Sequence, residues 1–166
     1  MKLIKFSFLA LALLFSTTAF SQKVIPSTDV KTLDGQTVNL KDYIKTGKIT
    51  VISLWATWCK PCQKELDAIA DLYPDWQEAY DMELLAITID TQRALGKVKP
   101  LVETKGWEYT ILSDPNNQLR NALNFQSIPH TFLLNQSGEI VYEHSGYLPG
   151  DEYELEDKIK ALAGKN

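Results

Sequence analysis

The most informative segment of this chain is Ile49-Thr-Val-Ile-Ser-Leu-Trp-Ala-Thr-Trp-Cys-Lys-Pro-Cys62. Its first half is mostly apolar and rich in β-branched side chains, which predicts a strand buried in the centre of a sheet. From about Lys60 onward, apolar residues recur at helical spacing as far as Tyr73, so a helix with one apolar face follows the strand. The sequence therefore predicts a strand, a short turn and a helix, with both cysteines of the chain at the junction.

The rest of the chain alternates strands with helices. Residues 29–40 alternate apolar and polar side chains around Asp34-Gly35, which predicts a hairpin with a tight turn. Pro74 is expected to end or kink the first helix, and Asp114 to cap the helix that starts at 116. Further strands are predicted at 83–89, 109–112, 131–134 and 139–143, and further helices at 91–105, 116–123 and 151–163. This alternation predicts an α/β fold with a central mixed sheet flanked by helices and an N-terminal β-hairpin extension.

The composition limits the class of protein. The chain has 166 residues, 17 Lys and Arg against 21 Asp and Glu, a formal charge of −4, and 45% hydrophobic residues. These values are ordinary for one globular domain and exclude a disordered, collagen-like or multi-span membrane protein. The mild acidity argues against a nucleic-acid partner, which requires a basic face. Two cysteines are also too few for a disulfide-rich scaffold.

Residues 1–21 have the features of a secretory signal peptide. Two lysines precede an apolar run at 6–15, and small residues follow up to Ser21. The apolar run has 10 residues, whereas a membrane span needs about 20. We therefore predict cleavage before Gln22, a domain at 22–166, and a place of action outside the cytoplasm, in a bacterial periplasm. An uncleaved N-terminal anchor is the alternative.

Cys59 and Cys62 carry the chemistry that the sequence suggests. Two cysteines at this spacing form a disulfide or bind a metal together, and a position between a strand and a helix favours redox chemistry. At the helix N-terminus, unpaired backbone N–H groups and the positive end of the helix dipole stabilise a thiolate on Cys59. Cys62, one turn further, is then the buried resolving thiol. A purely structural disulfide is the alternative, although closing so short a loop stabilises a fold by only about 2 kcal/mol.

Several stretches of the chain resemble a known family. Trp55-Ala-Thr-Trp-Cys-Lys-Pro-Cys62 and the later Ser127-Ile-Pro-His-Thr131 resemble the thioredoxin fold. The leader, the Cys-x-Pro-Cys-x-x-Glu run ending at Glu65 and the hairpin Asn135-Gln-Ser-Gly-Glu-Ile-Val141 resemble the extracytoplasmic TlpA/ResA-like thiol–disulfide oxidoreductases. The resemblance covers residues 24–163 and implies an enzyme that works through its redox-active cysteine pair without a further cofactor.

The resemblance also implies a substrate site. In this family the proline that matches Pro129 follows a cis peptide bond and faces the disulfide, and the backbone of Ile128 then offers an edge to an extended client. A trans proline at a strand start is the alternative that the residues alone allow. Trp58 is expected to form a flat docking surface beside Cys59, whereas Trp55 is expected in the core.

The proton acceptor for the resolving thiol has three candidates. Thioredoxins carry a buried aspartate six residues before the first cysteine, and this chain has Ser53 there. In TlpA/ResA-like proteins a buried acid near the end of the next strand serves instead, so the resemblance implies Asp90 as the first candidate, with Thr91 as the alternative match to that position. A buried acid there would accept a proton near neutrality, and the alternative role of Asp90 is a cap of the helix predicted at 91. Glu65 is the second candidate. Its charge would also stabilise the start of the helix electrostatically, and the alternative is an ordinary solvated charge. His130 is the third, because histidine titrates near neutral pH, with a surface or hydrogen-bonded role as the alternative.

The leading functional hypothesis is a reductase of exported proteins. Pro61 between the cysteines resembles the reducing members of the superfamily, and apocytochrome c with its heme-site thiols is a client that the family suggests. The partners expected are exported protein thiols and disulfides and an unidentified membrane or periplasmic electron donor. We also expect a monomer that holds no metal.

Two other functional classes remain open on the sequence. A copper chaperone would use both thiolates with His130 or His144 added, since soft sulfur suits Cu(I). A peroxiredoxin-type peroxidase would share the fold, but its Pro-x-x-x-Thr-x-x-Cys motif fails here because Ile52 and Ala56 occupy the matching positions.

Overall fold

The computed structural model describes residues 23–164, which contain seven strands in one mixed sheet and four α-helices. The strands are β1 (Asp29–Thr32), β2 (Thr37–Asn39), β3 (Ile49–Trp55), β4 (Met82–Thr88), β5 (Thr110–Ser113), β6 (His130–Leu134) and β7 (Ile140–Ser145). The α-helices are α1 (Lys60–Tyr80), α2 (Val98–Lys105), α3 (Gln118–Leu123) and α4 (Asp151–Ala163). The strand order is β2-β1-β5-β4-β3-β6-β7, so the predicted α/β fold with a mixed sheet is confirmed.

The predicted signal peptide lies outside the described residues. Within residues 23–164, no helix combines the length and the apolar character that a membrane crossing requires. The N-terminal hairpin is confirmed, because β1 and β2 pair antiparallel around Gly35, whose φ of 82° suits a tight turn. β1 also pairs with β5, which attaches the hairpin to one edge of the sheet.

β3 is a central strand of the sheet, as its apolar sequence predicts. All of its residues are buried, and it pairs in parallel with β4 and antiparallel with β6. A parallel pair needs a crossover connection, and α1 supplies it. At the end of β3, Trp55 pairs with Thr88 of β4, and Leu54 pairs with His130 of β6. The turn that carries the cysteines therefore begins beside the last residue of β4 and the first residue of β6.

Two helices differ from the sequence-based expectation. α1 does not end at Pro74 but continues to Tyr80, and Trp76 after the proline is still packed in the core. The helix predicted at 91–105 is wrong in its first half: residues 91–94 contain turns, Leu95–Lys97 is a 3-10 helix and α2 begins only at Val98. Gly96 weakens the helix there, whereas Pro100 is tolerated because the first-turn N–H groups of a helix have no partner within it.

Three carboxyl side chains are buried, which is unusual for charged groups. They belong to Glu65, Asp90 and Asp114, which are 5%, 0% and 0% exposed. The helix predicted from 116 begins at Gln118, two residues later. Asp114 still accepts hydrogen bonds from the backbone N–H groups of Gln118 and Leu119 in its first turn, which confirms the capping contact expected of its side chain. Of the other two, Asp90 follows the C-terminal end of β4, and Glu65 lies in the second turn of α1, three residues after Cys62.

Candidate active site

The two cysteines lie where β3 passes into α1. Cys59 immediately precedes the helix, and its sulfur accepts a hydrogen bond from the backbone N–H of Cys62 at 3.3 Å. The two sulfurs form a disulfide, with the Cα atoms 5.3 Å apart. Cys62 has no exposed surface, whereas Cys59 retains 5%. The free N–H groups and the dipole of the helix therefore favour negative charge on the sulfur of Cys59 once the disulfide is reduced.

An open groove borders the cysteine segment. Trp58 is 66% exposed and directly precedes Cys59, while Trp55 is fully buried, as predicted. The groove has a volume of about 280 Å³, and Trp58, Phe125 and Ile128 are among the residues that line it. The Ile128–Pro129 peptide bond is cis, as the family resemblance implies, so the alternative of a trans proline is wrong. Exposed aromatic surface beside the backbone of Ile128 suits an extended peptide.

Asp90 fastens the turn that precedes the cysteines. One carboxylate oxygen accepts the backbone N–H of Thr57 at 2.7 Å and the hydroxyl of Thr88 at 2.6 Å. The other accepts the hydroxyl of Thr57 at 2.8 Å. No helix begins at residue 91, so the alternative role as a helix cap is wrong. The carboxylate of Asp90 thus joins the end of β4 to the chain two residues before Cys59.

Glu65 is buried on α1, at i+3 from Cys62 and therefore on a neighbouring position of the helix surface. Its two carboxylate oxygens accept the hydroxyl of Ser53 at 3.0 Å and the hydroxyl of Thr131 at 2.7 Å. The alternative of a solvated charge is wrong, since the side chain is buried and its carboxylate is bonded to two strands of the sheet. Ser53 on β3 occupies the position at which thioredoxins carry their buried aspartate. In this chain the buried carboxyl group belongs instead to Glu65 on α1, and Ser53 donates a hydrogen bond to it.

Burial changes the acidity of Glu65. Desolvation raises its pKa from 4.5 to about 7, although the hydrogen bonds from Thr131 and Ser53 act in the opposite direction. Two neutral hydroxyl donors do not compensate for the lost hydration of a carboxylate. A carboxyl group in this condition accepts and releases a proton near neutral pH.

His130 packs among aromatic rings, so the alternative of a hydrogen-bonded surface histidine is wrong. Its ring lies 5.3 Å from the ring of Phe125 and 4.6 Å from that of Phe132, measured between centroids. Within the described part of the chain, neither ring nitrogen has a hydrogen-bond partner, and burial lowers its pKa. Adjacent strand residues point to opposite faces, so His130 points away from the face on which Thr131 contacts Glu65. The structure does not join His130 to Glu65.

Sequence analysis missed the hydroxyl groups that hold both carboxylates. Thr57, Thr88 and Thr131 are the donors that it did not single out, and Gln63 adds a hydrogen bond to the backbone carbonyl of Thr57 at 2.7 Å. A serine or threonine inside or just after an apolar strand is a sequence signal for such a donor, because a buried hydroxyl group needs a hydrogen-bond partner.

Comparisons with known proteins agree with this geometry. A family model described as the AhpC/TSA family matches residues 22–143. The chain is 31% identical over 122 residues to the thiol-disulfide oxidoreductase ResA of Geobacillus kaustophilus, which covers 74% of this chain and 67% of the relative. It is 30% identical over 132 residues to the thioredoxin-like protein YneN of Bacillus subtilis, covering 78% and 74%. The solution structure of a thioredoxin-like protein from Porphyromonas gingivalis superposes with a TM-score of 0.77 at 40% identity, covering 86% and 93%.

A thioredoxin-like fold with a CxxC disulfide at a helix N-terminus defines a thiol–disulfide oxidoreductase. The chain belongs to the AhpC/TSA family, and within it to the ResA-like thiol–disulfide oxidoreductases. The resemblance drawn from the cysteine segment and the later Ile-Pro is therefore confirmed.

Proposed function

We propose that this oxidoreductase reduces disulfide bonds of exported proteins, with Cys59 as the attacking sulfur and Cys62 as the resolving one. The observation that carries the proposal is a disulfide at the start of α1 in which Cys62 is fully buried and a buried carboxyl group, Glu65, follows at i+3. Only Cys59 retains exposed surface, so it is the member of the pair that a client reaches first.

The first step is attack of the Cys59 thiolate on a client disulfide. A bond forms between the sulfur of Cys59 and one client sulfur, and the client S–S bond breaks. The other client sulfur leaves with the bonding electron pair and takes a proton from solvent. The groove beside Trp58 and Ile128 supports an extended client segment in this step, because its surface is open and largely aromatic and aliphatic.

The second step releases the client. The carboxylate of Glu65 takes the proton of the Cys62 thiol, and the resulting thiolate attacks the sulfur of Cys59. The Cys59–Cys62 disulfide forms, and the second client sulfur leaves with its electron pair. The client has then gained two electrons, which the cysteine pair has lost. A dithiol donor must restore the pair, and we propose a membrane or periplasmic partner.

Asp90 takes a positioning role in this proposal and replaces the proton-acceptor role expected from the sequence. Its two carboxylate oxygens accept three hydrogen bonds from Thr57 and Thr88, which hold the group against the turn. A fixed Thr57 in turn fixes the backbone that leads to Cys59. Glu65 has fewer donors and lies on the helix that carries Cys62, which supports its assignment as acceptor.

The proposed place of action is outside the cytoplasm, after removal of residues 1–21. Their basic start and short apolar run support export. Exported proteins with thiols that have become oxidised, including apocytochrome c, are the proposed clients, and the protein is proposed to act as a monomer without a cofactor. Disulfides persist in such compartments, which gives a reductase a substrate there.

The test compares two cysteine variants with the wild type in a disulfide reduction assay. Cys59→Ser is expected to abolish reduction of a protein disulfide such as insulin, because the attacking sulfur is gone. Cys62→Ser is expected to accumulate a mixed disulfide between Cys59 and the client, which mass spectrometry detects. Full activity of Cys59→Ser would contradict the proposal.

The same preparation tests the two alternative functions. Two thiolates suit Cu(I), yet among residues 23–164 no three His, Cys, Asp or Glu side chains are grouped so that they would hold a metal. Stoichiometric, tight copper on the reduced protein would favour the chaperone. A peroxiredoxin-type peroxidase would share the fold, but Ile52 and Ala56 occupy the positions of its motif residues. Rapid peroxide consumption would favour that function over disulfide reduction.

A further inference from the structure

A small cavity lies against the buried carboxyl group of Glu65. Its volume of about 10 Å³ is close to the room that one water molecule needs. Thr131, His144 and Asp151 share its wall with Glu65. The side chains of His144 and Asp151 are 33% and 29% exposed, so the cavity connects a buried acid to polar groups that reach the surface.

The pairing of the last two strands explains why His144 stands beside this cavity. Thr131 of β6 pairs directly with His144 of β7, and paired residues point to the same face with their Cβ atoms about 5 Å apart. The hydroxyl of Thr131 donates to Glu65, which places His144 on the face that carries Glu65. The Nε2 atom of His144 lies 3.2 Å from the Oδ2 atom of Asp151 at the start of α4.

Most other titratable groups around Glu65 are engaged elsewhere. Those that face it are Tyr109 before β5, Tyr142 and His144 on β7, Tyr147 in the following loop, and Asp151 and Glu152 on α4. The hydroxyl groups of the three tyrosines donate to the carbonyl of Leu66, to Glu154 and to Glu152. Among these described groups, His144 is of the residue type that exchanges a proton most readily near neutral pH.

We propose that His144, held by Asp151, carries the proton of Glu65 to and from solvent. The inference rests on the proposed function, in which ionised Glu65 takes the proton of Cys62. Below about pH 7, Glu65 begins each cycle protonated, and it has to release that proton first. The proton passes from the carboxyl group to a water in the cavity, which gives one of its own to the imidazole, and the imidazolium releases it to bulk water. Only O–H and N–H bonds change, and no electron is transferred.

The charges of the two sites also influence each other. A protonated His144 lowers the pKa of Glu65, and the carboxylate of Asp151 raises it. A proton that arrives on His144 therefore helps to keep Glu65 ionised, ready to receive the proton of Cys62. This mutual influence is expected for groups that share one small cavity.

The test measures how fast the Cys59–Cys62 disulfide closes in a single turnover. Reduced protein is mixed with one equivalent of a small aromatic disulfide, and tryptophan fluorescence follows closure between about pH 5 and pH 8. For His144→Gln we expect closure to be about tenfold slower on the acidic side and unchanged on the alkaline side, where Glu65 is already ionised. Added imidazole is expected to restore the rate, because a free base replaces the missing side chain. A merely structural role for His144 would not be rescued in this way.

Two further variants make the test specific. Glu143→Gln removes an exposed ion pair with Lys23 from the neighbouring position of β7, on the opposite face, and should behave as wild type. Asp151→Asn keeps the imidazole without its partner and should show a smaller slowing over the same pH range, which also serves if His144→Gln folds poorly. Wild-type rates in both His144→Gln and Asp151→Asn, or slow rates that imidazole does not restore, would overturn the relay. A wild-type protein that fails to close its disulfide at all would instead overturn the proposed function.

Discussion

The carboxyl groups of Asp90 and Glu65 are both buried near the cysteine segment, yet their surroundings differ. Asp90 accepts three hydrogen bonds, one of them from a backbone N–H, and all of them from the residues that frame the turn. Glu65 accepts two, both from hydroxyl groups, and adjoins a cavity of about 10 Å³. Burial alone therefore does not decide what a buried acid does. Many donors fix a carboxylate in place, whereas few donors and a polar cavity leave it able to exchange a proton.

The largest effect on the unfolding free energy is expected when the hydrogen bonds accepted by Asp90 are removed. Asp90→Ala leaves the buried N–H of Thr57 and two hydroxyl groups without their acceptor, and we expect a loss of about 4 kcal/mol of unfolding free energy. Urea unfolding of the oxidised protein, followed by circular dichroism, measures this loss. Asp90→Asn retains part of the network and serves as the matched control, with a smaller loss. A change below about 1 kcal/mol in Asp90→Ala would show that the network does not hold the turn.

The second prediction concerns the pH dependence that Glu65 gives to stability. Its pKa is about 7 in the folded protein against an ordinary 4.5, so the folded state binds a proton that the unfolded state releases between these values. Stability from this group is fully present below about pH 4.5 and is lost as the pH rises through about 7. Relative to Glu65→Gln, the wild type should lose about 3 kcal/mol across this range.

Urea unfolding of the wild type and of Glu65→Gln at several pH values measures the difference between their unfolding free energies. The contributions of the other titrating groups cancel in this difference. Parallel profiles of wild type and Glu65→Gln would contradict a raised pKa. In the same variant we expect closure of the cysteine disulfide to slow by about 100-fold, since a positioned base is missing. A faster or unchanged closure would remove Glu65 from the mechanism.

A smaller effect is expected at Asp67, a half-exposed carboxylate on the same helix as Glu65. It accepts a hydrogen bond from the indole N–H of buried Trp107 at 3.0 Å and pairs with Lys105. Asp67→Ala leaves the indole N–H unsatisfied, and we expect a loss of about 1–2 kcal/mol, measured by urea unfolding. Lys105→Ala removes only the ion pair and should cost less. Equal losses in the two variants would mean that the indole bond contributes nothing.

The smallest effect is expected at an exposed carboxylate. Asp34 in the N-terminal hairpin pairs with Lys99 at 3.1 Å, and both side chains are more than half exposed. Water and salt screen such pairs, so Lys99→Ala should leave the unfolding free energy unchanged within error. A clear loss of stability would show that the contrast between buried and exposed carboxylates is weaker than the structure suggests.

The amino-acid sequence determined the features that depend on local pattern. Residues 49–55 are predicted as a buried strand and the cysteines after it as the start of a helix, because apolar runs and helical spacing are local signals, and the structure confirms both. The bounds of β3 and α4 agree with their predictions, and Asp114 caps α3 as expected. The first half of the helix predicted at 91–105 failed because weak local propensity around Gly96 gave way to turns.

The surroundings of the two buried acids could be read only from the tertiary structure. The partners of Glu65 are 12 and 66 residues away in the sequence, and the distant one is brought in by the pairing of β3 with β6. Thr57, which donates its backbone N–H to Asp90 from the turn before the cysteines, is 33 residues away in the sequence. Desolvation and hydrogen bonding depend on what surrounds a group in space, and residues so far apart in the chain meet only when the sheet has formed. The sequence thus identifies the cysteine pair, whereas the packing of the helix against the sheet raises the pKa of the buried carboxyl group of Glu65.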